Sequence, residues 1–333
     1  MPSKYVSAVA VAVLAVAAGS AASAQTVAAT ITLPNLPEEV VANVQTNRVY
    51  VAVPNFGAKP YDYVTVIDGK TNTVIKNIQI PPVAYAIADD PLAKQLYVGG
   101  TFEDANGVQQ SQVAIICPSS EKFTTSVPIT TTPGDGIQGL AVNWITSRLF
   151  VANGSDNELD VVHWNGHVTK ILARISLPGE PGGVAVDPFT NTVYVALLNG
   201  NVTVINGSTY QIITTTPVGT SNAGIAQNFL TGNVYTTNQV YTDSSTVGVL
   251  NAAGTFTTNV NVGNTPIGID VDPVTGLVFV ANTQDGTVSV INGSTNTVSA
   301  TLPVSGLFVA ANFVTGKVYV TSPSSPSLTV INE

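Results

Sequence analysis

The chain has 333 residues, a formal net charge of −9, and only 9% charged against 44% hydrophobic residues. So acidic and charge-poor a chain lacks the cationic excess that nonspecific binding to nucleic-acid phosphates or anionic lipid requires, and a nucleic-acid partner is not expected. The single cysteine, Cys117, excludes an intramolecular disulfide, so packing must hold the fold together.

Residues 1–24 read as a secretory signal. Lys4 gives a positive start, Val6 to Ala18 is an apolar run too short to span a bilayer comfortably, and Ala22-Ser23-Ala24 is a small-x-small cleavage site before Gln25. No cysteine follows the apolar run, which argues against a lipid anchor. The expected product is residues 25–333, secreted or periplasmic, with no transmembrane segment after cleavage.

From Val40 onward one unit recurs seven times. It aligns on the aromatic residue of its second strand, Tyr50, Tyr97, Phe150, Tyr194, Tyr235, Phe279 and Tyr319, at spacings of 40–53 residues. The sixth copy shows the pattern best. Ile267-Gly268-Ile269-Asp270-Val271 is an inner strand, with glycine where strands crowd an axis. Asp272-Pro273-Val274-Thr275-Gly276 is a turn, Leu277 to Ala281 a second strand, and Asn282 to Gly286 a loop. Thr287 to Ile291 is a third strand, Asn292-Gly293 opens a hairpin, and Thr297 to Leu302 is an outer strand. Four short strands rich in Val, Ile, Thr and Tyr, with no sustained helical period, predict an all-β fold, a seven-bladed β-propeller in a single domain over 25–333. The second copy diverges most: Thr101 to Gln112 reads as its longest loop, and Cys117-Pro118 replaces the hairpin pair. The last copy stops at Ile331-Asn332-Glu333. Thr26 to Pro34 matches the missing outer strand, so the N-terminal strand is expected to complete the last blade and close the ring, removing two open sheet edges.

Segments such as Leu277-Val278-Phe279-Val280-Ala281-Asn282 and Lys317-Val318-Tyr319-Val320-Thr321, each followed by a Val-x-Val-Ile-Asn-type strand, resemble the YVTN-type propeller repeat. That family includes bacterial periplasmic and surface proteins and archaeal surface-layer proteins. The resemblance covers essentially all of residues 25–333 and implies the fold. Related propellers include lactonases, a streptogramin lyase and proteins that only bind, and no family catalytic residue matches a motif here.

A propeller has one face carrying the between-blade segments and the loops from second to third strand, called here the loop face. The other carries the two hairpin turns of each blade and is called the turn face. The loop face receives Glu38, Glu39, Glu103, Asp104, Asp135, Asp156, Glu158, Glu180, Asp243 and Asp285 against Lys59. The turn face mixes Arg48, Lys70, Lys94, Arg148 and Lys317 with Asp68, Asp89, Asp90, Asp187 and Asp272, and is expected to be near balance. The candidate site is therefore an acidic channel mouth built from Glu38, Glu103, Asp104, Asp135, Asp156, Glu180, Asp243 and Asp285. Asn153, Asn238 and Asn282, each closing a second strand, are expected to ring it. Carboxylates and amides are the oxygen ligands that Ca²⁺ or Mg²⁺ takes, although no EF-hand spacing is present.

The only histidines, His163 and His167, flank Trp164-Asn165-Gly166. If Asn165-Gly166 are the central pair of the hairpin, His163 faces Val168 and Trp164 faces His167, an arrangement unsuited to a shared metal. Trp144 and Trp164 lie near turns and are expected to wedge between blades. The reading is an exported, monomeric binding or surface scaffold for a protein or glycan partner, without a cofactor of its own. The alternative is a lactonase-like or lyase-like enzyme using carboxylates and a divalent cation at the acidic mouth.

Overall fold

In a computed structural model the protein is described over residues 25–55, 61–103, 108–117, 120, 122–130, 136–164, 169–239 and 245–333. Every element is a β-strand. Strand β1 (Thr26–Thr32) opens the chain. Blade 1 is β2 (Val40–Asn43), β3 (Arg48–Val53), β4 (Asp62–Asp68) and β5 (Thr73–Ile80). Blade 2 is β6 (Ala86–Asp90), β7 (Gln95–Glu103), β8 (Gln109–Cys117) and β9 (Lys122–Thr130). Blade 3 is β10 (Ile137–Asn143), β11 (Arg148–Asn153), β12 (Glu158–Trp164) and β13 (Thr169–Ser176). Blade 4 is β14 (Pro181–Asp187), β15 (Thr192–Leu197), β16 (Asn201–Asn206) and β17 (Ile212–Pro217). Blade 5 is β18 (Asn222–Gln227), β19 (Val234–Asn238), β20 (Thr246–Leu250) and β21 (Phe256–Asn261). Blade 6 is β22 (Pro266–Val271), β23 (Leu277–Asn282), β24 (Thr287–Asn292) and β25 (Thr297–Leu302). Blade 7 is β26 (Val309–Asn312), β27 (Lys317–Thr321) and β28 (Ser327–Asn332), with β1 as its outer strand. The fold is thus seven four-stranded antiparallel sheets, a seven-bladed β-propeller.

Closure follows from sequence distance turned into contact. β1 pairs antiparallel with β28, from Thr26 opposite Asn332 to Thr32 opposite Ser327. Ile31 and Leu33 are buried with Leu328 and Val330 of blade 7 and Val49, Val51 and Ile67 of blade 1. The other cores likewise join neighbouring blades: Val64 and Val66 of blade 1 pack with Ile87, Leu96 and Ile116 of blade 2. The seven aligned aromatics are all buried, which is why their spacing marks the repeat.

One local device repeats in every blade. The residue that ends the inner strand or directly follows it is Asn43, Asp90, Asn143, Asp187, Asn228, Asp272 or Asn312, all buried. Its side-chain oxygen accepts backbone N–H groups of the following turn, as Asp272 does from Val274 (2.7 Å) and Thr275 (3.0 Å). Three of the amides also tie blades together. Asn43 donates to Asp89 (2.7 Å), Asn143 to Asn191 (2.7 Å), and Asn312 to Asn47 across the closure (3.1 Å).

Two sequence expectations change in detail. Thr101 to Gln112 is less a loop than an extension of the β7–β8 ladder, which continues through Thr101–Ser111 to Glu103–Gln109. In blade 3 the ladder pairs His163 with Lys170 and Trp164 with Thr169, not with Val168 and His167. The connection is therefore four residues, 165–168, which together with His167 lie outside the described set. Blades 1 and 6 show the same four-residue spacing, between Asp68 and Thr73 and between Asn292 and Thr297. There the glycine serves close approach. A Cβ on Gly69 would lie 2.7 Å from the Asn47 carbonyl oxygen, and one on Gly293 would lie 2.6 Å from that of Gly276.

Candidate functional site

The inner strands leave their axial edges unpaired, so backbone N–H and C=O groups face the central channel and need other partners. At its loop-face end the channel widens into a cavity with about 140 Å³ of room for water centres. All seven blades contribute to its wall, including Glu39, Tyr85, Gln138, Gly183, Gly224 and Phe308. Glycines make this possible. A Cβ on Gly224 would lie 2.3 Å from the Ile267 carbonyl oxygen, and one on Gly268 would lie 2.5 Å from the Phe308 Cα.

One carboxyl group, Glu39, lines this glycine-rich space, and a second, Asp270, lies near enough to act on its charge. Glu39 reaches from blade 1 to blade 2, where its Oε2 accepts the Ile87 N–H (2.7 Å). Asp270 reaches from blade 6 to blade 7, where its Oδ2 accepts the Ala311 N–H (2.8 Å). Burial pushes Glu39 up to about 8, against the Ile87 hydrogen bond and with help from the negative charges of Asp270 and Glu38. Asp270 is raised to about 6, again by burial. Glu38, beside the mouth, rises to about 7 from burial alone. Burial thus favours the protonated form of Glu39, which can donate a hydrogen bond into the cavity.

The expected site residues fall apart into separate roles. Asn153 is buried and donates to Asp156 and Asp160, both at 3.1 Å, inside blade 3. Asn282 is buried and donates to Thr287 (3.1 Å) and Ser289 (2.8 Å) inside blade 6. Asn238 accepts the Thr220 and Ser221 N–H groups at 2.9 and 3.2 Å and donates to Thr246. These asparagines brace the loops behind the mouth rather than ringing it. Asp285 is exposed and accepts from Asn264 through both its backbone and side-chain nitrogens. Glu180 is half-buried, and its carbonyl accepts the Leu198 N–H (2.9 Å). Glu103 ends β7, with its side chain outside the described set, and Asp104, Asp135 and Asp243 lie outside the described residues. Among the described residues no three His, Cys, Asp or Glu side chains form a group able to hold a metal ion.

Glu39 and Asp270 carry a sequence signal that strand reading alone passes over. Asp270 occupies the column opposite the second-strand aromatic, where the other blades have Val41, Ala88, Ala141, Ala185, Ala226 and Ala310. Glu39 stands one place before the inner-strand residue Val40, where blades 3 to 6 have Gly139, Gly183, Gly224 and Gly268. A carboxylate in a column of alanines or glycines marks a side chain that enters the space left by the small ones.

No family model and no curated protein sequence matches this chain. Among solved structures it is similar to the β-propeller domain of Cps50 (Swd1) from Myceliophteria thermophila, with a TM-score of 0.72 at 9% identity, covering 93% of this chain and 100% of that one. It is also similar to the WD40 β-propeller domain of Doa1, with a TM-score of 0.69 at 11% identity, covering 94% of this chain and 98% of that one. At such identities the likeness speaks for architecture alone, and architecture does not carry chemistry with it. What the chain shares with these domains is the propeller fold, ring-closed here by its own N-terminal strand.

Proposed function

We propose that the protein is an exported binding scaffold of the YVTN-repeat type, whose loop face receives a polar protein or glycan segment at the channel mouth. The observation that supports this reading best is the preformed cavity under that face. Its room of about 140 Å³ suits one protruding side chain or sugar ring, well short of a whole cofactor or drug-sized ligand. Its polar groups include strand-edge backbone, Gln138 and Glu39, which recognise hydrogen-bonding partners. Tyr85 and Leu198, exposed at the wall, offer an apolar surface for stacking. Export rests on residues 1–24, and an exported chain beginning at Gln25 on N-terminal sequencing is the expected result.

The test is a peptide and glycan array probed with the wild-type chain and with Tyr85→Ala. A hit whose affinity falls at least about tenfold in Tyr85→Ala supports the reading, since such a loss is about 1.4 kcal/mol of contact. Hits indifferent to Tyr85→Ala, or none at all, overturn it.

The elevated carboxyls Glu38 and Glu39 favour one second reading, acid–base chemistry of the lactonase or lyase kind, with Ca²⁺ or Mg²⁺ as the candidate cation. Lactone hydrolysis abolished by both Glu38→Gln and Glu39→Gln is its expected sign. Activity unchanged in both variants excludes it.

A further inference from the structure

The turn face differs from the loop face in three respects that point the same way. The first is apolar relief. In each blade the second residue after the buried Asn or Asp stands at the tip of the first turn. In six of the seven blades it is apolar: Leu92, Ile145, Phe189, Leu230, Val274 and Val314. Four are strongly exposed, Ile145 by 38%, Phe189 by 47%, Leu230 by 49% and Val314 by 48%. They occupy equivalent positions of the repeat, one on each first turn of the turn face. The tip residue Phe189 joins Trp144, Phe229 and Phe313 in a run of edge-on and tilted rings, with centroids 5.6, 5.7 and 6.1 Å apart. The run links blades 3, 4, 5 and 7.

The second is charge. Counted from sequence this face is near balance, but burial changes the count. Asp90, Asp187 and Asp272 are buried in their turns, Asp89 accepts from Asn43, and Asp68 is paired with Arg48. Glu333 accepts from Thr275 (3.3 Å). Lys70, Lys94, Lys122 and Lys170, by contrast, are exposed at this end of the blades. Among the described residues the charged side chains that are exposed rather than half-buried at this end are therefore lysines, on a chain whose net charge is −9.

The third is hydrogen bonding. The turn amides behind the tips are already satisfied by the Asn and Asp side chains, as at Ile145 (2.9 Å), Phe189 (2.9 Å) and Leu230 (2.9 Å). Taking these tips out of water strands no backbone donor there.

We infer that the turn face is a docking surface for an anionic lipid bilayer, with the apolar tips entering the interface and the lysines meeting the headgroups. A flat occupant is favoured over a peptide because it meets the exposed tips of several blades and the exposed lysines at once, whereas a single segment reaches only one or two blades. The tips supply apolar insertion and the lysines the charge attraction, the combination that interfacial binding uses.

All seven sheets lie between Thr26 and Asn332, so a chain beginning at Gln25 carries the whole ring without the apolar leader. The experiment is co-sedimentation of that chain with vesicles of phosphatidylcholine alone and of phosphatidylcholine with phosphatidylglycerol, at low and high salt. Expected is partition onto the phosphatidylglycerol vesicles that weakens in salt. The double variant Phe189→Ser with Leu230→Ser should lower it at least about tenfold, and Lys70→Glu or Lys94→Glu each about fivefold. The lysine variants are on exposed side chains and keep the test valid should the serine variant unfold. No partition, equal partition onto both vesicles, or binding indifferent to the lysine reversals overturns the inference. So does light scattering that shows a wild-type oligomer dissolved by the serine pair, which would assign the face to a second copy of this chain.

Discussion

Replacing Ile31 by alanine tests the closure of the ring with a single side chain. Ile31 lies in β1 opposite Leu328 and is 6% exposed, in a core shared by blades 7 and 1. The change removes three carbons from that core. At about 0.8 kcal/mol for each buried carbon, plus about 1 kcal/mol for an incompletely collapsed cavity, the loss is about 3 kcal/mol. In a chain of this size that lowers the melting temperature by roughly 5 °C. Urea unfolding followed by circular dichroism measures it, with Ile213→Ala as control. Ile213 is 58% exposed on the outer strand of blade 4, and its loss should stay within about 0.5 kcal/mol. Removing residues 25–34 altogether leaves β28 as an open edge beside an uncovered core, so lower stability and self-association are both expected. If Ile31→Ala costs no more than Ile213→Ala, β1 is not packed in blade 7 and the account of closure is refuted.

Asn312→Ala removes both the cap on the last inner turn and the hydrogen bond to Asn47 across the closure. A destabilisation of about 1–3 kcal/mol is expected by thermal unfolding, and an effect near zero contradicts the clamp. Gly224→Ala forces a Cβ to 2.3 Å from the Ile267 carbonyl oxygen of the next inner strand, and should cost about 1–3 kcal/mol in urea. The channel carboxyls set a pH dependence. Glu39 and Glu38 titrate near 8 and 7 in the folded chain against an ordinary value of 4.5, so the folded state holds the extra protons. Stability is then greatest at the acid end of that window and declines as pH rises from about 4.5 to about 8. Glu39→Gln, which keeps an acceptor for the Ile87 N–H, should flatten the fall in melting temperature between those limits. An unchanged slope means that Glu39 is not the buried acid described here.

The candidate site was less legible than the fold, for identifiable reasons. Asn153, Asn238 and Asn282 recur at one position of the repeat, and recurrence alone does not distinguish a ring of ligands from a ring of braces. Their burial and their partners within the blade decide for braces. Charge counting placed the turn face near neutrality because a sequence does not weigh exposure. With the turn aspartates buried, the charged side chains exposed rather than half-buried there are lysines among the described residues. Glu39 and Asp270 depart from the small residues of their repeat columns, a signal that strand reading passes over, and only the ring brings their charges within reach of each other.

The repeat itself was legible because each blade is specified by short-range physics. Alternating β-branched residues make the strands, an Asn or Asp caps each first turn, and a buried aromatic sits at one fixed place. Seven such units and a spare first strand leave little choice of architecture. The tertiary structure alone decided which side chains share the channel mouth, which acids are buried, and which turn tips are exposed. Those properties depend on contacts between residues remote in sequence, and closing β1 onto β28 brings them together.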